Sequence, residues 1–435
     1  MQVPVKIYAP DYGVRHRYIF KLLFNELLGI QYEIIDTLSD ADLNYSLEKG
    51  GIIQCTPYGI LSETSIDSNH SSAIEFDSWD EIKCCFRTSD SLLPFDVFSA
   101  SFYFVSRYEE NLAYESDDHN RFPATSSILV KTGLIEEPLI NQWALKLKDV
   151  LSGVCFNLTF NSRSYEFLST IDIDQAWKFR NKGLVRHILG TFRDLAERKW
   201  ENFFARYPVL LGFKDDPFYT FDWHQSLSER EKLTTHYFIL LGNKGKYDKN
   251  ISHTNNQFVS LIRSLNNSNH LGIHPSYHSN IDTSLVQIEI ERLQAILKEP
   301  ITTSRQHFLM HTMPQTYRCL LEKGITVDHT MGYSTHIGFR AGIAAPFLWF
   351  DLEANEATNL RLFPFCIMDI TPLHYRKETP EEAIETIRKL LDKVKSVNGL
   401  FISLWHNESL SETERWRNWR VVYEQMVKLA SKQKS

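Results

Sequence analysis

Ser169-Thr170-Ile171-Asp172-Ile173-Asp174 closes the hydrophobic run Tyr165-Glu166-Phe167-Leu168, and its reading decides the fold. The run predicts a β-strand, and period-two alternation puts Asp172 and Asp174 on one face at its end. Two like charges that close destabilise each other unless a cation or a shared proton relieves them. An Asp-x-Asp pair is also an ordinary feature of a solvated strand end. Its meaning therefore depends on what the rest of the chain brings to it.

Downstream, Tyr237-Phe238-Ile239-Leu240-Leu241 and Leu271-Gly272-Ile273 read as further strands, and His274 follows the second at once. Pro275 suits a first helical position, so His278 is expected one turn beyond His274 on the same side, where two imidazoles can share a metal. With one aspartate from the first strand this gives a His₂-Asp site with open positions. His307 and His311, in Arg305-Gln306-His307-Phe308-Leu309-Met310-His311, form a second i,i+4 pair, a rival with no Asp-x-Asp beside it. Phe347 to Phe350 and Pro364 to Asp369 continue the strands, and Glu381 to Val394 is an amphipathic helix. The last strand, Leu400-Phe401-Ile402-Ser403-Leu404-Trp405, delivers His406-Asn407. Strand and helix alternate from 165 to 406, with polar residues repeatedly at strand C-termini, and that pattern favours a parallel α/β barrel.

Residues 1–160 read as a separate α/β domain of unknown role, and 161–435 as the barrel, interrupted by an insertion at about 175–235. In the first part, Phe98, Phe102, Val105 and Glu109 recur at helical spacing, which is core packing. The polar cluster Asp117-Asp118-His119-Asn120-Arg121-Phe122 reads as a loop, with substrate contact as the lesser reading, and this part shows no chemistry of its own. In the insertion, Leu184, Val185, Ile188, Leu189, Phe192 and Leu195 alternate with Arg and Lys. A basic amphipathic helix can lie on a membrane or face an anionic substrate, but packing on its own protein is the plainer expectation. The net charge of −7 argues against nucleic acid as a partner. No apolar run reaches the roughly 18 residues of a transmembrane segment. The six cysteines show no zinc spacing, and with an N-terminus unlike a secretory signal they predict a reduced, cytoplasmic protein.

The set resembles the polysaccharide deacetylases of the NodB-homology class, metal-dependent carbohydrate esterases, over about residues 163–410. Thr170-Ile171-Asp172-Ile173-Asp174 looks like the first family motif, His274-x-x-x-His278 the second, Arg305-Gln306-His307-Phe308 the third and Leu404-Trp405-His406 the fifth. The fourth is poorly matched, with Asp328 or the Gly338-Phe339-Arg340 loop in its place, and His307 replaces the usual proline of the third. The resemblance implies a distorted (β/α) barrel of the NodB-homology type. It implies a divalent metal, most simply Zn²⁺, on Asp174, His274 and His278. It makes Asp172 the general base held by Arg305, and His406 the general acid. Leu404, Trp405 and Arg340 would contact an acetylated saccharide. The expected activity is metal-dependent deacetylation of an N- or O-acetylated sugar or glycan precursor. Deacylation of another small or cyclic amide, or glycan or partner binding without turnover, are the alternatives.

Overall fold

In the computed structural model, which describes residues 3–72, 74–89, 91–155 and 157–432, four short strands form the first sheet. They are β1 (Val5–Tyr8), β2 (Tyr32–Ile35), β3 (Leu43–Asn44) and β4 (Ile53–Gln54), all parallel, in the order β2-β1-β3-β4. β5 (Asp77–Trp79) and β6 (Ile82–Cys84) pair as a separate antiparallel ribbon. The aromatic helix read from the sequence is Val97–Val105, and every residue in it is buried. It starts where the Asp96 side chain accepts hydrogen bonds from the Phe98 and Ser99 amides, satisfying donors that a helix N-terminus leaves free.

The second sheet has nine strands: β7 (Glu166–Ile173), β8 (Thr235–Ile239), β9 (His270–Ile273), β10 (Thr303–Ser304), β11 (Val327–Asp328), β12 (Phe347–Asp351), β13 (Glu356–Leu362), β14 (Ile367–Met368) and β15 (Leu400–His406). Their order is β12-β13-β11-β10-β9-β8-β7-β15-β14. All pairs are parallel except β12 with β13. The expectation of a parallel α/β arrangement holds, and the distorted barrel is realised as a curled half-barrel sheet that does not close. Among the described residues the outermost strands β12 and β14 do not pair, so the sheet is open. Parallel pairing aligns the strand ends: His406 lies opposite Asp172, and Ile273 lies opposite both Ile239 and Ser304. The residues that follow β7, β9, β10 and β15 therefore emerge along one edge, where parallel sheets gather ligand contacts. Between β7 and β8 the insertion folds as three helices, Leu184–Ala196, Trp200–Leu210 and Phe221–Glu231.

The two sheets are joined by apolar and charged contacts together. Phe350 of β12 meets Phe102 edge-on at 5.1 Å and Tyr18 at 5.0 Å, and the Tyr18 hydroxyl donates to the Leu348 carbonyl at 2.6 Å. Gly338, at φ +123°, lies so close to the first half that an added Cβ would fall 2.2 Å from the Ile135 carbonyl oxygen. Beside it Glu110 receives two hydrogen bonds from Arg340, at 2.7 and 2.8 Å, and one from Arg107 at 2.8 Å. All three side chains are buried. This overturns the assignment of Arg340 to substrate contact: its guanidinium is spent on Glu110 and on the Gly332 carbonyl.

Burial disfavours the Glu110 charge, but Arg340 and Arg107 outweigh it and hold the carboxyl far below its ordinary 4.5. A folded-state value below the unfolded one stabilises the fold above pH 4.5, and that stabilisation is lost as the pH falls. Glu110→Gln leaves the buried Arg340 guanidinium without its counter-charge, while Arg107 keeps Glu109 at 2.9 Å, and is expected to cost about 3–5 kcal/mol. Urea unfolding should show this deficit in full near neutral pH and a narrowing gap to wild type below pH 4.5.

Candidate active site

Asp172, on the last turn of the β7 pleat, is buried and accepts a hydrogen bond from Arg305 Nη1 at 2.9 Å. Arg305 follows β10 directly. It is itself buried, donates through Nε to the His329 carbonyl at 3.1 Å and stacks over the Phe238 ring at 4.4 Å. Burial lowers the Arg305 pKa and the Asp172 charge opposes that shift, so each group stabilises the charge of the other.

Asp174 lies on the same face one pleat further. His274 Nε2 approaches its Oδ1 at 3.3 Å, and His307 Nε2 approaches its Oδ2 at 3.4 Å. Both imidazoles are fixed from behind. His274 Nδ1 is 2.6 Å from the Arg305 carbonyl, which can only accept, so Nδ1 carries a proton and Nε2 is the ring atom turned to Asp174. His307 Nδ1 is 2.9 Å from the buried carboxylate of Asp248. Ligand atoms about 2.1 Å from one tetrahedral ion lie about 3.4 Å apart, and the two imidazoles stand at about this distance from different oxygens of the same carboxylate. All three donor atoms lie within 4.8 Å of one another. Among the described residues Asp174 Oδ1 is buried without a hydrogen-bond partner, an orphaned acceptor that a cation would satisfy. The residues present fit a divalent metal, and the backing carboxylate and carbonyl are the partners metal-binding histidines use.

Burial disfavours the Asp174 charge, but His307, His274 and His406 hold its carboxyl well below the usual range. Burial alone would lower His307; Asp174 and Asp248 instead raise it to about 9. Across the site His406 Nε2 is 4.0 Å from Asp174 Oδ2, and its Nδ1 is 3.0 Å from the buried carboxylate of Asp369. Asp369 also accepts from the His406 amide at 2.8 Å, which fixes ring and backbone together. Against the burial that disfavours its charge, Asp369 with Asp174 and Asp172 raises His406 to about 10.

These groups surround a cavity of about 230 Å³ with an apolar wall of Leu309, Met368, Ile370 and Leu404. The first half of the chain reaches its mouth. His119 and Arg121 line it, with His119 Nδ1 3.1 Å from the Tyr277 hydroxyl and Arg121 donating to the Phe308 carbonyl while paired with Asp117. Around His119 the rings of Tyr247, Tyr277 and Phe308 pack at 5.4 to 5.7 Å.

The structure thus brings Asp172, Asp174, His274, Leu404 and His406 to one cavity, with Arg305 behind Asp172, and leaves His278, Trp405 and Arg340 out. The segment 274–276 is not helical, and a 3₁₀ turn begins only at His278. The expected i,i+4 geometry therefore never forms. His278 turns instead against Gly245, where an added Cβ would lie 3.0 Å from its Nε2. Trp405 alternates to the other face of β15 and packs on Tyr423 at 5.0 Å. His307, the lesser rival in the sequence, takes the position expected of His278. Its companion His311 is buried away from Asp174 against Tyr317, with neither ring nitrogen hydrogen-bonded. Asp369 follows β14 and could have been read by the strand-end rule; Asp248 sits in a loop that carried no signal.

Residues 5–155 match a family described as a family of unknown function, DUF7033. No curated protein matches the chain. Among solved structures, the chain is similar to a Mycobacterium smegmatis protein provisionally described as a polysaccharide deacetylase, at 15% identity and TM-score 0.40, over 61% of this chain and 83% of that one. It is similar to a polysaccharide deacetylase from Bacillus cereus at 10% identity and TM-score 0.30, over 61% and 88%. A 4-alpha-glucanotransferase from Thermococcus litoralis matches at 14% identity and TM-score 0.36, over 62% of this chain and 37% of that one. Likenesses this remote leave the functional reading to the site itself.

Metal binding should discriminate the two histidine sets. His307→Ala and Asp174→Asn are expected to weaken Zn²⁺ affinity by about 100-fold or more, whereas His278→Ala leaves it within a few-fold. Because His307 must lose its proton to bind, affinity in the wild type should climb as pH rises from 6 towards the value of about 9 at which that histidine titrates. Isothermal titration calorimetry across pH reads both effects.

Proposed function

We propose that the protein is a metal-dependent hydrolase that removes an acetyl group from an N- or O-acetylated sugar or glycan precursor. One observation carries this reading. A carboxylate between two imidazoles, a second carboxylate clamped by a buried arginine, and an imidazole backed by its own carboxylate all face one small, partly apolar cavity. That is the equipment for hydrolysis of an acyl bond. A divalent cation held by Asp174, His274 and His307, most simply zinc, would polarise the acyl carbonyl and acidify the attacking water.

The remaining work falls to side chains. Asp172 takes the proton of the attacking water, and Arg305 keeps that carboxylate ionised and aimed. His406, protonated at neutral pH by virtue of Asp369, gives its Nε2 proton to the departing amine or alkoxide oxygen. Leu404 and Met368 pack against the acetyl methyl, and His119 with its ring of aromatics closes over the sugar. The six unbonded thiols support a reducing, cytoplasmic setting as part of the same proposal.

Acetate release from a panel of N- and O-acetylated saccharides tests the reading, and no release with metal-loaded protein would defeat it. Asp172→Asn should retain metal yet lose about 10²–10⁴ of its turnover, the usual worth of a positioned proton acceptor. Asp369→Asn removes the charge that keeps His406 protonated up to about pH 10. The alkaline limb of its kcat profile should therefore move towards neutral pH, more for amide than for ester substrates, since an amine leaving group needs the proton more.

A further inference from the structure

A second and larger cavity, about 480 Å³, opens between the insertion and the active-site edge of the sheet. It adjoins the catalytic groups. Gln175 and Glu408 both line it; Gln175 follows Asp174 directly, and the Glu408 carboxyl senses both His406 and Asp174. Its wall is cationic, with Lys178, Lys182, Arg186 and Arg206 among the lining groups. Some of this charge is answered. Arg206 pairs with Asp194, and Lys178 lies 3.1 Å from Glu414. Some is not: among the described residues the buried Arg186 Nη1 has no hydrogen-bond partner. Lys182 donates to the neutral Gln175 side chain at 2.6 Å. Burial, with Arg186 and Arg206 nearby and Asp216 opposing, pushes its pKa down to about 8. With eight lysines and arginines against three carboxylates in its lining, the cavity keeps a surplus of cations.

The helices that form this wall also carry an apolar exterior. Leu184–Ala196 and Trp200–Leu210 run antiparallel, tied by Arg206 to Asp194 and packed closely because Gly190 has no Cβ to meet Arg206 at 2.9 Å. Outward they present Phe192 and Phe204, 66% and 67% exposed, with Ile188 also exposed, and Phe213, 80% exposed, follows in the turn after the second helix. Between residues 178 and 214 the sequence has nine Lys and Arg against three acids, in a chain of net charge −7. Exposed aromatics interleaved with cations on a surface helix match an anionic lipid surface in both polarity and charge.

We propose that this helical hairpin seats the protein on an anionic bilayer and that the cavity behind it receives the phosphate of a sugar-bearing lipid, which would deliver an acetylated sugar to the adjoining Asp174 centre. The proposal deepens the hydrolase reading and rests on it for the reaction, but not for the binding.

The test is co-sedimentation of the full chain with vesicles of phosphatidylcholine alone and of phosphatidylcholine containing phosphatidic acid, alongside acetate release from a soluble acetylated saccharide. The wild type should sediment with the phosphatidic acid vesicles and far less with the neutral ones. Lys182→Gln/Arg186→Gln, which removes two cations, should weaken this association roughly 30-fold. Phe192→Ser/Phe204→Ser should weaken it comparably. Zn²⁺ binding and soluble-substrate turnover should be unchanged in both, which shows that the variants fold. Absence of sedimentation, or sedimentation that neither variant alters, overturns the proposal. So does light scattering that reveals a dimer abolished by Phe192→Ser/Phe204→Ser, which would assign the face to a second copy. Vesicle binding that responds to both variants, in a protein that releases no acetate, would uphold the lipid site and remove the hydrolase.

Discussion

The site depends on the repulsion between two carboxylates held on one face of a strand. Unit charges about 4 Å apart in a protein surface environment interact by about 4 kcal/mol, and removing each from water costs several more. Burial disfavours the Asp174 charge, and Asp172 is buried beside it. Each is relieved differently. Asp172 receives a permanent cation, Arg305, that is buried with it. Asp174 receives three imidazoles, whose charge is conditional. That difference separates their chemistry. The carboxylate beside a permanent cation is a stable proton acceptor, whereas the one among histidines is a place where protons and a metal ion compete.

The register of the parallel sheet makes this possible. β7 pairs with β15 so that His406 falls opposite Asp172, and β8, β9 and β10 stagger so that His274 and Arg305 leave their strands at neighbouring points. This part of the site was legible in the sequence, because strand C-termini are marked by apolar runs that stop at a polar residue. Asp172, Asp174, His274 and His406 follow that rule; Arg305, which comes after the polar strand Thr303–Ser304, was reached through the family resemblance. His278 failed because it required a helix directly after Pro275, and the Asp248 carboxylate instead draws the Tyr277 and His278 amides into a loop. His307 was visible as a residue but not as a partner, since its role depends on Asp248, which is distant in sequence and carries no local pattern. The openness of the sheet was illegible for a similar reason: strand recurrence predicts parallel order, not whether the outermost edges meet.

The first half of the chain showed no chemistry of its own, and the structure explains how such a region can still matter. Its loop at 117–121 reaches the mouth of the cavity and holds the Phe308 carbonyl through Arg121, next to the histidine that faces Asp174. The sequence reading of that cluster as a loop was sound. Its position could not be read, because nothing local records which strand edge a surface loop will meet.

The Glu110–Arg340 pair has a further consequence, one of time. Its partners are separated by 230 residues. At ribosomal rates of roughly 5–20 residues per second, Glu110 and Arg107 leave the ribosome roughly 10–50 s before the arginine that completes their burial. Through that interval the nascent first half carries an incomplete charged face, together with aromatic surface at Phe102 that awaits Phe350. The chain therefore closes its two halves late in synthesis, and a chaperone able to shield that face would act on the emerging polypeptide rather than on the finished protein.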